Sequence, residues 1–138
     1  MNPDIETAFQ EIAAGNQAAY EFCRSSFEFF HLIDDLVDHD KPVDLNDMAL
    51  GLLKFIDVIG GNEFYQTHRT DLFTFIYSAA MAFAASQRMA TDPDVQRRLA
   101  AEVLKSQYQD LFFRVAFWVG GSRHAIEMDT KFRGYCFG

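Results

Sequence analysis

Asp34-Asp35-Leu36-Val37-Asp38 puts three carboxylates into little more than one helical turn, with His31 before them and His39 and Asp40 after. Carboxylate oxygens are hard ligands. A group of them at this spacing suits Mg²⁺, which is usually held by one or two carboxylates and keeps waters or a phosphate in the rest of its shell. The chemistry such a site serves is the grip of a phosphate or diphosphate. The plainer reading pairs Asp34 with an arginine of a neighbouring helix and leaves Asp38 and Asp40 as solvated turn residues. A lone histidine at a helix edge is more often a hydrogen-bonding spectator than a ligand, which holds equally for His31 and His39, and His31 is kept as a possible auxiliary.

Helical projection says where these groups point. With successive residues about 100° apart and Asp34 at zero, Tyr20, Cys23, Phe27, Phe30, His31, Val37 and Asp38 fall within about 60°. Asp34 and Asp38 therefore project from an apolar stripe, and Asp35 stands at its edge. Phe22, Phe29, Leu32 and Leu36 form a second apolar patch, which leaves water only a strip with Glu21, Arg24, Glu28 and Asp35. A helix apolar on two sides is central or lies at a subunit interface. Carboxylates near a helix C-terminus oppose the dipole, at roughly 0.3–1 kcal/mol each. Turned inward they also lose hydration, so a positive partner is expected beside them.

The elements that must position this cluster read as helices. Asn2 with Pro3 at the first position starts a short helix that Gly15 ends. Asn16 caps a long one to about His39, stopped by Lys41-Pro42. Asp44, with Asp47 three residues on, opens a helix through Ile59 that Gly60-Gly61-Asn62 terminates. Thr67 or Thr70 opens the next, to about Arg88. Asp92 as cap and Pro93 at the first position start a helix to Gly120-Gly121, and Ser122 can cap a last one ending near Arg133 or Gly134. There is no strand-like alternation, internal repeat or linker. The expectation is an all-α, single-domain bundle of five to seven helices over residues 1–138.

Composition narrows the function classes. With 138 residues, 49% of them hydrophobic and 15 of them Phe, the chain can build a core and is not a disordered one. A net charge of −8 argues against non-specific nucleic-acid binding and against a polybasic membrane segment. The N-terminus lacks the basic start and apolar run of a signal peptide, and Tyr77 to Ala85 is too short to span a bilayer. Cys23 and Cys136 form no CxxC pair. Reduced thiols in a cytoplasmic protein are the expectation, with a disulfide to the tail as the lesser reading.

Leu32-Ile33-Asp34-Asp35-Leu36-Val37-Asp38 resembles the first aspartate-rich motif, DDxxD, of class I isoprenoid synthases. These all-α enzymes hold Mg²⁺ at that motif and, through it, a prenyl diphosphate. The resemblance implies metal-ligand roles for Asp34 and Asp38 with Asp35 assisting. It covers seven residues of a chain about half the family's length, and a second metal motif is not evident. The nearest stand-in lies on the helix from Pro93. Projection around Asp110 sets it among Leu99, Val103, Phe113 and Phe117, with Ser106, Gln107 and Arg114 close by, so Asp110 could complete a site with Arg114 on a phosphate. A plain Asp110–Arg114 pair at i,i+4 competes with that. Over more of the chain, His31 to Asp38, Asp40-Lys41-Pro42, Asn62-Glu63-Phe64-Tyr65, His68 and Gly120-Gly121 look like small uncharacterised helical proteins of phages and prophages. That likeness implies a fold but no activity.

Other sites fail on their residues. Cys23 lies on an apolar stripe, which leaves no Cys–His nucleophile, and neither Gly pair sits in a phosphate-loop pattern. The paired ExxH of a di-iron bundle is absent, as is the ExxE of all-α nucleotide pyrophosphatases. The aromatic side chains could line a prenyl pocket, although stripes at helical spacing are more often plain core. The leading expectation is a Mg²⁺-binding helical protein that takes a diphosphate-bearing, isoprenoid-like small molecule, with no catalytic residue assigned. Its rivals are a non-enzymatic phage-type interaction protein, dimerising through Phe22, Phe29 and Leu36, and a nucleotide pyrophosphatase-like hydrolase.

Overall fold

The computed structural model describes residues 3–38, 42, 44–135 and 137, with backbone alone at Pro3 and Asp38. Among the described residues seven α-helices follow one another: α1 (Pro3–Ala13), α2 (Gln17–Asp38), α3 (Leu45–Gly61), α4 (Glu63–Thr67), α5 (Arg69–Met89), α6 (Val95–Lys105) and α7 (Gln109–Phe132). A 3-10 turn (Ser106–Tyr108) joins the last two. The described residues contain no strand, so the chain is the all-α bundle its punctuation predicts.

Each boundary has a local cause. Ala14 and Gly15 both take positive φ, 49° and 90°, and reverse the chain. The Asn16 side chain then accepts from Ala19 N at 3.0 Å and starts α2. Asp44 caps α3 by accepting from Asn46 N at 3.1 Å. Asn62 does more than end α3. It accepts from Tyr65 N at 2.8 Å to open α4, a helix the sequence reading passes over, and donates to Ala18 O at 2.9 Å. Those two bonds fix the α3–α4 corner to the start of α2.

Three expected features move. Neither Thr67 nor Thr70 opens α5, which starts at Arg69 after His68, while Thr67 ends α4. Asp94, not Asp92, caps α6, accepting from Gln96 N at 2.9 Å. Asp92 instead accepts from Asp94 N at 2.9 Å and pairs with Arg97. The helix expected to run from Pro93 to Gly120 is also broken at the 3-10 turn. That turn resets the helical phase, so a projection carried through it fails: Leu99 and Val103, expected inward, are 55% and 70% exposed, while Phe113 is buried. Beyond it, α7 bends at Gly121, whose φ of 87° and ψ of −178° lie where essentially only glycine goes.

The core is aromatic. Phe9 of α1 meets Phe112 of α7 edge-on at 5.1 Å and Phe27 of α2 at 5.8 Å, and stacks on Phe137 at 5.4 Å. Full burial of each such ring contributes about 1.5–3 kcal/mol, with a further 0.5–1.5 kcal/mol from ring geometry. Helix α2 runs through this core, as two apolar sides require, packed against α1, α3, α4 and α7. Its second patch is filled within the chain: Phe22 is fully buried and stacks on Tyr65 at 5.5 Å, and Phe29 lies flat on Phe55 at 4.5 Å. Within that patch Tyr65 of α4 packs on Phe22 and Phe55 of α3 packs on Phe29, while Phe29 and Leu36 stay half-buried.

Candidate functional site

The inward stripe of α2 is as projected. Cys23 is fully enclosed, and Tyr20 and Phe27 are buried. Cys23 carries a free thiol whose pKa burial pushes well above the ordinary range, which leaves no thiolate to act as a nucleophile. One helical turn past Phe30, the stripe reaches Asp34 at the edge of a cavity of about 550 Å³, in the size range of small-molecule sites. Phe29, Phe30 and Ile33 of α2, Ala79, Ala80 and Phe83 of α5, and Phe137 make its apolar walls. Asp34, Glu102, Lys105, Ser106, Tyr108 and Gln109 make its polar edge.

Among the described residues Asp34 finds a positive partner in Lys105, with Nζ 3.3 Å from Asp34 Oδ1 and both side chains about one-third exposed. Lys105 is the last residue of α6, where the helix dipole favours a cation, and it faces a carboxylate near the end of α2, where the dipole disfavours one. Tyr108 completes this corner. Burial first, and then the Asp34 charge, raise its hydroxyl to about 12, with Lys105 opposing. The phenol is therefore a neutral donor at any physiological pH. It is spent on the carbonyl of Phe137, which pins the chain's last described residue over the core.

The other sequence candidates lie apart. Asp35 is 3.8 Å from His31 Nε2, and the His31 ring stacks on Phe27 at 5.5 Å while it also lines the cavity. The Asp38 side chain, His39, Asp40, Lys41 and Cys136 lie outside the described residues. Asp110 and Arg114 do not pair with each other, because each has a stronger partner on another segment. Asp110 binds Arg133, which also binds Asp129. Arg114 makes a two-pronged contact to Asp71, at 2.6 Å from Nε and 3.3 Å from Nη2, and Trp118 Nε1 donates to the same carboxylate. Asp110, Arg114 and the exposed Gln107 are not among the residues lining the cavity that Asp34 edges.

Among the described residues no three His, Cys, Asp or Glu side chains lie together in a way that could hold a metal ion. No helix there is long and apolar enough to cross a membrane. Among the described residues the carboxylates lining the cavity are Asp34 and Glu102. Sequence reasoning missed Lys105, and with it Tyr108 and Glu102. The available signal was a basic residue followed by Ser106-Gln107, a polar interruption in an otherwise regular helix. Comparison with family models, curated proteins and solved structures finds no match.

Proposed function

We propose that this protein binds a small molecule with an apolar body and a diphosphate-like head in the cavity between α2, α5 and α6. The observation that carries the reading is the cavity's polarity. Phe29, Phe30, Ile33 and Phe83 would take the apolar body, and the Asp34–Lys105 pair stands where a charged head would enter. The head would displace Lys105 from Asp34 and take the ammonium as its own counter-charge. Mg²⁺ suits the vacated carboxylate, with Asp38 four residues on as the second ligand the sequence spacing supplies and phosphate oxygens completing the shell. Bound there, the ion would neutralise the diphosphate.

Calorimetric titration tests this with Mg²⁺ alone, pyrophosphate alone, both together, and geranyl diphosphate with Mg²⁺. The expected order is weak binding of Mg²⁺, tighter binding of Mg²⁺–pyrophosphate, and the tightest binding for geranyl diphosphate. Asp34→Asn should abolish the Mg²⁺ dependence, and Lys105→Met should weaken diphosphate binding roughly tenfold or more, the loss of one charge-assisted contact. Wild-type affinity for none of these probes, or affinity that Asp34→Asn leaves unchanged, overturns the proposal.

A further inference from the structure

Helix α3 carries its hydrophobicity on the wrong side for a monomer. Only Phe55 is buried along its 17 residues. Leu45, Leu52, Leu53 and Ile56 are 81%, 46%, 56% and 52% exposed. Leu45, Ala49, Leu52 and Ile56 follow one another at steps of four, three and four, the a/d spacing of a helix that packs lengthwise on another. Together with Leu53 they cover a stripe about 100° wide with no charged group in it. Asp47 and Asp57 project outside the stripe, and Lys54 is turned to Glu28 of α2 at 3.1 Å.

We infer that this stripe is the interface of a homodimer, with α3 of one copy lying antiparallel on α3 of the next. Three observations favour a second copy as the occupant. An uncharged aliphatic stripe with four-three spacing is complementary to itself, so one two-fold axis near Leu52 satisfies both copies and leaves no open end. The surface of the chain is 8300 Å², against about 7,300 Å² expected for a monomer of 15.8 kDa. The exposed side chains of this stripe contribute to that excess, and a standard interface takes ~800 Å² from each partner. Finally, the net charge of −8 disfavours the anionic alternatives, nucleic acid and acidic lipid, that an amphipathic face could otherwise serve. The face is distinct from the cavity, so dimerisation and ligand binding are separately testable.

Sedimentation equilibrium of the full chain, from micromolar to hundreds of micromolar and at low and high salt, tests the inference. The wild type should be a dimer whose affinity rises with salt, as screening relieves repulsion between two acidic copies. Leu52→Glu should raise the dissociation constant ~100-fold or more by setting like charges across the axis. Ile56→Gln should raise it less, and helicity should be unchanged in both because the side chains are exposed. Leu99→Glu, on the exposed row of α6, is the control and should leave the dimer intact. A monomer at every concentration and salt overturns the inference, and so does a dimer that Leu99→Glu dissociates and Leu52→Glu does not.

Discussion

Replacing Asp71 with Asn keeps the shape of the side chain and removes its charge from a two-pronged ion pair with Arg114. Asp71 opens α5 and receives Arg114 and Trp118 from α7, so the substitution acts on the clamp between those two helices. Burial by itself would raise the Asp71 carboxyl. The hydrogen bonds from Arg114 and Trp118 and the Arg114 charge outweigh it and hold the group below its ordinary value of 3.8. An exposed ion pair contributes about 0–1 kcal/mol, and a hydrogen bond to a charged group about 1.5–3 kcal/mol. Asp71 is one-quarter exposed and Arg114 one-third, with the guanidinium 4.5 Å above the Phe117 ring, so the pair belongs between those limits. The expected loss for Asp71→Asn at neutral pH is about 1–2 kcal/mol. The sign with pH follows from the depressed folded value: the stabilisation is fully present above the unfolded pKa, near 4, and disappears as pH falls through the folded one. Urea unfolding followed by the fluorescence of Trp118, the chain's single tryptophan, reports on the clamp itself. Wild type and variant should differ at pH 7, and the difference should shrink as falling pH protonates the Asp71 carboxyl. A difference below about 0.5 kcal/mol at pH 7, or one undiminished in acid, refutes the reasoning.

Gly121→Ala should lose about 1–3 kcal/mol in the same urea assay, from backbone strain alone, since an added Cβ there meets nothing within 4 Å. Gly60→Ala, equally open but with ordinary helical backbone, should be neutral or stabilising and separates strain from crowding. Ser26→Ala should stabilise by about 1 kcal/mol, read as a higher melting temperature. The Ser26 hydroxyl is fully buried in α2 without a hydrogen-bond partner among the described residues, and alanine removes both that cost and a poorer helix former.

The fold was legible wherever one residue decides a boundary. Asn16, Gly15 and Asp44 act through their own side chain or backbone, and the structure uses them as the sequence suggests. Legibility failed where two neighbouring residues compete for one role. Asp92 and Asp94 are both able to cap. Asp94 takes the cap because Asp92 is already holding Asp94 N and Arg97, and nothing local in the sequence records that second bond. The same holds for Asn62, read as the end of α3: its donation to Ala18 O, 44 residues away, makes it also the start of α4.

The site was half legible, for a reason that periodicity explains. On α2, unbroken over 22 residues, phase is preserved, and Asp34 could be aimed correctly from residue types alone. Beyond Pro93 the assumed helix contained a three-residue 3-10 turn, and one such turn, at about 120° per residue instead of 100°, shifts everything after it by about 60°. That error moved the expected counterpart of Asp34 to Asp110 and Arg114, which serve Arg133 and Asp71. Among the described residues the counterpart is Lys105, set at the C-terminal end of α6 by the same turn that hid it. The need for a cation beside Asp34 was sound, because it rested on desolvation, which does not depend on phase. Identifying which cation required α6 to end where it does. If the turn is what places Lys105, lengthening α6 across Ser106–Tyr108 should separate Lys105 from Asp34 while leaving the core around Phe9 and Phe27 in place.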